Sequence, residues 1–265
     1  MIKHATSDVR QCIVLGAHYL NDKVVELVKI LMKDCAGKYD VFLLYDNSRQ
    51  DYDPSLFSRN LKTFLFDVKA IAQAYPMTSC TNRGNLYDGN TTFPILEFYR
   101  QHPHYDFYWR IEYDVRFSGN WTELFDYFKD NDADLLTTTL FRHALRPEWE
   151  WWSSLKTPWH IRKVDKIRGF LPVARMSNNA CRLMYQKYRR QWRGHDEVVV
   201  PTLLKHYGLR VEDIGGEGEF VRPENMERFY TNTPEKDGLA PGTMVCPPCK
   251  PDMPMLPGKL YHAIK

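Results

Sequence analysis

Two hydrophobic periods alternate along the first half of the chain. Gln11 to Gly16 contains the unbroken apolar run Cys12-Ile13-Val14-Leu15, the length of a buried strand. From His18 to Lys33 the apolar residues fall at Leu20, Val24, Leu27, Val28 and Leu31, the spacing of one helix face. Tyr39 to Tyr45 reads as a second strand and ends in Asp46-Asn47-Ser48. Strand, helix, strand in this order predicts a crossover joining a parallel pair. A strand over Leu61 to Phe66, a helix over Thr91 to His102 and a strand over Phe107 to Val115 extend the pattern. A helix over Trp121 to Asp130 and a strand over Asp134 to Leu140 complete it. The expected fold class is α/β, with a mostly parallel central sheet and flanking helices.

After about residue 142 the regularity fades. Trp149, Trp151, Trp152 and Trp159 crowd a segment with Arg146, His160, Arg162, Lys163, Lys166 and Arg168, in no clean period. Val173 to Ser177 is strand-like, Asn178 to Gln191 reads as a helix capped by Ser177, and His195 to Tyr207 as a helix opened by Asp196-Glu197. From Arg222 onward Pro and Gly dominate, and only Lys259 to Ile264 regains a strand-like or loop-docking pattern. Without an internal repeat, residues 1–265 read as a single domain, a sheet-forming half over 1–141 followed by a loop-rich half over 142–265.

Composition narrows the classes. The 265 residues are 43% hydrophobic, enough for a packed core, and 36 Lys and Arg against 33 acidic residues leave +3, too balanced to argue for nucleic-acid binding. The polar N-terminus and the short run after it fit neither a signal peptide nor a membrane span, so the expected location is cytoplasmic. Of the Cys at 12, 35, 80, 181, 246 and 249, only Cys246 and Cys249 are close in sequence. They lack a second Cys or His pair, so free thiols are the simplest reading and a local disulfide or metal clip the alternative.

The chemistry concentrates in Tyr108-Trp109-Arg110-Ile111-Glu112-Tyr113-Asp114-Val115-Arg116-Phe117-Ser118-Gly119. On an extended backbone Glu112 and Asp114 point to one side while Ile111, Tyr113 and Val115 point to the other. Two carboxylates facing one way repel, and a shared divalent cation holds them together. Hard oxygen ligands favour Mg2+, Mn2+ or Ca2+ over zinc. A surface strand with alternating charges is the plainer alternative. In an open parallel sheet ligands bind beyond the carboxyl ends of the strands, where Gly16-Ala17-His18, Asp46-Asn47-Ser48 and Glu112-Tyr113-Asp114 converge. Ala17 and His18 at a small turn allow a flat base or sugar to approach, and Asp46 can accept hydrogen bonds from a ribose or base edge; ordinary turn chemistry explains each alone. Asp196 and Glu197 open a helix, where Asp196 can cap it and Glu197 favour its dipole.

This layout, with a carboxylate-x-Asp motif after a central strand, a helix opening on acidic residues and a late His, resembles the glycosyltransferases of the GT-A fold, which use nucleotide-sugar donors. Trp109 to Arg116 with Gly119 resembles the W-x-x-E-x-D-x-R pattern of a GT-A-like group. The resemblance covers most of the chain in layout and is motif-grade at only a few places. It implies a GT-A-like (Rossmann-like) sheet, a nucleotide-sugar-binding half over 1–141 and an acceptor-binding half and tail over 142–265. Glu112 and Asp114 match the D-x-D motif that binds the cation, Mn2+ or Mg2+, bridging the donor diphosphate, with Glu in place of the first Asp. His262 matches a late metal-ligating His. Arg116 and Lys265 become candidates to meet charge on the leaving diphosphate, and Arg83 and Asp88, in the loop before the Thr91 helix, to contact nucleotide or donor sugar. Asp196 or Glu197 matches the base of an inverting transfer. The Trp-rich and basic segment suits an acceptor: a glycan, a lipid-linked molecule or a small hydroxyl compound. If exposed, the same segment suits peripheral contact with an anionic membrane. The implied function is a metal-dependent, inverting glycosyltransferase. The alternatives are a non-catalytic nucleotide- or glycan-binding relative, or a metal-dependent phosphoesterase.

Overall fold

The computed structural model describes residues 9–75, 86, 89–231, 242–244 and 255–264. Cys80, Cys246 and Cys249 lie outside them; Cys12, Cys35 and Cys181 are free and buried. The strands are β1 (Gln11–Ala17), β2 (Asp40–Asp46), β3 (Lys62–Phe66), β4 (Phe107–Glu112), β5 (Arg116–Phe117), β6 (Leu135–Arg142), β7 (Ile167–Ser177), β8 (Val211–Asp213) and β9 (Leu260–Tyr261). The α-helices are α1 (Asp22–Asp34), α2 (Val68–Ala74), α3 (Phe93–Gln101), α4 (Trp121–Tyr127), α5 (Asn178–Tyr188) and α6 (Asp196–His206).

Seven strands form one sheet in the order β3-β2-β1-β4-β7-β6-β8. All neighbouring pairs are parallel except those of β7, which is antiparallel to both β4 and β6. This is the mostly parallel α/β sheet with flanking helices that the periodicity predicts. The strand pleat sorts its side chains into two cores. Cys12, Val14, Tyr108 and Ala174 pack with α3, α5 and α6 on one face. Ile13, Leu15, Trp109, Ile111 and Val173 pack with α1 and α4 on the other. No helix among the described residues is long and apolar enough to cross a membrane.

Element ends differ from the sequence expectation for local reasons. The first helix starts at Asp22, not His18, because Asn21 caps it: its Oδ1 accepts from Val24 N at 3.0 Å. His18, Tyr19 and Leu20 form the loop that leaves β1. β4 stops at Glu112, where Val115 N donates to the Glu112 carbonyl at 3.1 Å and the chain turns through Tyr113 and Asp114. β7 begins at Ile167, six residues earlier than expected, and runs through Gly169 and Pro172. Ser177 caps α5 as predicted, accepting from Ala180 N at 3.0 Å. His195 rather than Asp196 caps α6, its Nδ1 accepting from Glu197 N at 3.2 Å.

Candidate active site

The carboxyl ends of β1, β3 and β4 open onto a cleft of about 290 Å³ whose lining includes Ala17, His18, Arg110, Glu112, Asp114, Asp196, Glu197 and His262. Its floor comes from the alternation of β4. Tyr108, Arg110 and Glu112 share the face toward α3, α5 and α6, while Trp109 and Ile111 are buried against α1 and α4. Gly16 lies opposite Glu112 in the β1–β4 register and Ala174 opposite Arg110 across β7, so two small neighbours leave room for two long charged side chains.

Asp114 joins Glu112 through the turn after β4, which replaces the extended backbone expected across this motif. Ile111 and Val115 are fully buried, while Tyr113 sits at the cleft against the rings of His18 and Tyr19. The third member arrives from the far end of the sequence. β9 pairs antiparallel with β5, Arg116 opposite Tyr261, and Ile264 N donates to the Asp114 carbonyl at 2.8 Å. This pairing sets His262 Nε2 3.6 Å from Asp114 Oδ1 and 4.0 Å from Glu112 Oε2. One ligand atom from each of Glu112, Asp114 and His262 lies within 4.8 Å of the others. Two carboxylates and an imidazole form a donor set that suits Mn2+ or Mg2+, the imidazole favouring the softer Mn2+. Phe170 meets the His262 ring edge-on at 4.9 Å and fixes its plane.

Glu112 is not committed to that cluster alone. Its Oε1 accepts from Arg110 Nη2 at 2.5 Å, and Arg110 Nη1 donates to the Leu171 carbonyl at 3.3 Å. Arg110 is 4% exposed and Glu112 is half-buried, so the ion pair lies in the floor of the cleft with only its carboxylate end open. Sequence reading passed over Arg110 because it sits inside an apolar run; its place two residues before Glu112, on the same pleat face, was the available signal.

The opposite wall is the N-terminus of α6. Asp196 is buried, and both of its oxygens are engaged: Oδ2 accepts from Thr92 N at 2.7 Å and Oδ1 from Tyr188 Oη at 3.0 Å. Burial raises its pKa, an effect opposed by the Thr92 N–H and by the charge of Arg110. It therefore ties α3 and α5 to α6 rather than capping its own helix. Glu197 Oε2 pairs with Arg168 Nε at 3.0 Å, and its other oxygen has no hydrogen-bond partner among the described residues. Gly89, at φ +86°, accepts from Asp196 N through its carbonyl at 2.8 Å and lies so close to the His195 ring that a Cβ there would stand 2.4 Å from Cδ2. His195 and Gly89 line the cleft and were also missed, since an imidazole cap is an uncommon start signal.

The remaining candidates divide. Arg116 is outside the cleft: its guanidinium donates to the carbonyls of Tyr113, Val115 and Lys23, bracing the turn after β4. Burial lowers its pKa. Asp46 ends β2 but does not line the cleft; its Oδ1 accepts from Ser48 N at 3.0 Å and from Ser48 Oγ, the turn role. Arg83, Asp88 and Lys265 lie outside the described residues. Of the tryptophans, Trp152 is buried and Trp159 is 48% exposed. Trp151 stacks on His195 with ring centroids 5.2 Å apart, and Trp149 lies 4.5 Å beneath the Arg168 guanidinium, so this pair backs the α6 wall.

A family model described as a protein of unknown function (DUF3405) matches residues 16–134, slightly under half of the chain. No curated protein matches the sequence. Among solved structures the chain is similar to mouse xyloside xylosyltransferase 1 in its apo form, at 10% identity over 79% of this chain and 86% of that one, with a TM-score of 0.44. It is similar to the galactosyltransferase LgtC in complex with donor and acceptor sugar analogues, at 12% identity over 82% and 74%, with a TM-score of 0.44. It is also similar to 4-diphosphocytidyl-2C-methyl-D-erythritol synthase from Anaerococcus prevotii, at 10% identity over 83% and 90%, with a TM-score of 0.45.

Proposed function

We propose that this protein is a metal-dependent, inverting glycosyltransferase that moves a sugar from a nucleoside diphosphate donor to a hydroxyl acceptor. The observation that carries the reading is the meeting of Glu112, Asp114 and His262 within 4.8 Å at the end of a central strand, in a cleft whose other wall is an acidic helix start. Asp114 and His262 would hold a divalent cation, with Glu112 lending one oxygen. When bound, that cation supplies positive charge against the negative charge of a departing diphosphate.

The residues of this chain divide the remaining work. Ala17 and His18, beside Tyr113, offer the small turn and rings against which a nucleotide base packs. Glu197 is the better placed of the two acidic candidates for general base. Asp196 is occupied by two donors and acts as the brace that holds α6, while Glu197 keeps an oxygen for the proton of an acceptor hydroxyl. Attack of the acceptor oxygen on the anomeric carbon breaks the bond to the diphosphate, and the acceptor proton passes to Glu197.

Calorimetry with uridine and guanosine diphosphates, with and without Mn2+, tests the reading, followed by a panel of nucleotide sugars assayed for slow hydrolysis. Diphosphate binding that requires Mn2+ and is lost in Asp114→Asn is the expected result. Binding indifferent to both would remove the metal-dependent reaction and leave a nucleotide- or glycan-binding cleft.

A further inference from the structure

We infer that Arg110 is a positioning residue that sets the affinity of the cluster for its cation by holding one oxygen of Glu112; this rests on the metal-dependent reading above. The guanidinium is 4% exposed and anchored at both ends, by the Leu171 carbonyl at 3.3 Å and by Glu112 Oε1 at 2.5 Å. It cannot swing away into solvent, and it is the cation whose charge also acts on Asp196 across the cleft. An arginine keeps its charge at any working pH.

The charge balance follows. Glu112 and Asp114 contribute two negative charges, and Arg110 returns one positive charge at the Glu112 oxygen turned away from the cluster. Glu112 Oε2 lies 4.0 Å from His262 Nε2, so the side chain faces both ways, one oxygen to the guanidinium and the other to the cluster. A divalent ion therefore meets a donor set with roughly one net negative charge, and a fixed positive charge behind one ligand weakens its hold. The polyanionic diphosphate of a donor supplies what the protein withholds. Arg110 thus keeps the cation exchangeable, and it defines a role for the Glu that stands where an Asp would be expected. The longer side chain reaches both partners.

The test is Mn2+ binding to the full chain in the absence of nucleotide, read by electron paramagnetic resonance. Arg110→Met removes the charge at similar length, and Arg110→Gln also keeps an amide to bond Glu112 or the Leu171 carbonyl should the Met variant fail to fold. Either is expected to bind Mn2+ about tenfold or more tightly than the wild type. Adding Asp114→Asn to either should abolish that gain. Unchanged or weaker Mn2+ binding in the folded neutral variants, with Asp114-dependent binding in the wild type, would overturn the role of Arg110 and leave the proposed function standing. Mn2+ binding absent from all variants, or insensitive to Asp114, would instead remove the metal site itself.

Discussion

Replacing Asp196 separates a brace from a base. Its carboxylate is 2% exposed and accepts from Thr92 N at 2.7 Å and Tyr188 Oη at 3.0 Å. Asp196→Ala leaves the buried Thr92 N–H without an acceptor and removes one bond from Tyr188 Oη; at about 1–3 kcal/mol for the first and about 1 kcal/mol for the second, the loss is about 2–4 kcal/mol. That is a large part of the roughly 5–15 kcal/mol by which domains are ordinarily stable. Asp196→Asn keeps an oxygen for the Thr92 N–H and presents an amide to the Tyr188 hydroxyl, which can turn to accept, so its loss is smaller, about 1 kcal/mol. Glu197→Gln breaks one ion pair with Arg168 and is expected to cost about 1 kcal/mol or less while lowering transfer by about 10²-fold or more. Urea unfolding followed by tryptophan fluorescence gives the stabilities, and nucleotide-sugar turnover gives the activities. The division of labour is refuted if Asp196→Ala unfolds within about 0.5 kcal/mol of the wild type, or if Glu197→Gln turns over the donor normally.

Three further outcomes are expected. Gly89→Ala places a methyl group against the His195 ring at a left-handed backbone position, and thermal unfolding should show about 1–3 kcal/mol of destabilisation; an unchanged melting temperature would contradict the contact. Burial, aided by Asp34, pushes the Cys35 thiol up to about 12 and raises Cys12 and Cys181 as well. An aromatic disulfide reagent at pH 8, with mass mapping, should leave all three unmodified in the native protein. Burial also raises the pKa of Asp213, whose oxygens accept from Leu140 N, Gly215 N, Gly216 N and Tyr230 Oη. A carboxyl with a raised folded pKa binds its proton more readily in the native state. Its stability contribution is therefore full below about pH 4, the unfolded value, and declines as pH rises toward the folded pKa. The stability difference between wild type and Asp213→Asn should shrink from pH 4 to pH 7; a difference that grows would refute the shift.

The alternating periods made the first half legible because β1, β2 and β4 carry unbroken runs of buried residues and α1, α3 and α4 each turn an apolar side to the sheet. β1, β2 and β3 end within a residue or two of their expected limits. The end of β4 was not legible: Ile111, Tyr113 and Val115 keep the strand alternation across a turn that contains neither Gly nor Pro. The start of β7 was hidden by Arg168, Gly169 and Pro172, which weaken a strand signal, and its antiparallel insertion between β4 and β6 depends on contacts distant in sequence. In the site, Glu112, Asp114, His262 and the α6 acids were visible as residue types placed at element ends. Their relations were not. The Asp196 carboxylate serves the start of α3, over a hundred residues earlier, and the Arg110–Glu112 pair depends on a face choice made by the whole sheet.

The pairing of β5 with β9 decides when the three candidate ligands can meet. The seven strands of the main sheet are all synthesised by Asp213, whereas His262 reaches the carboxylates only once Leu260 and Tyr261 have zipped onto Arg116 and Phe117. The last of the three candidate ligands to be synthesised thus arrives with Leu260, whose burial in the core beside α1 and α4 ties completion of the site to completion of that core.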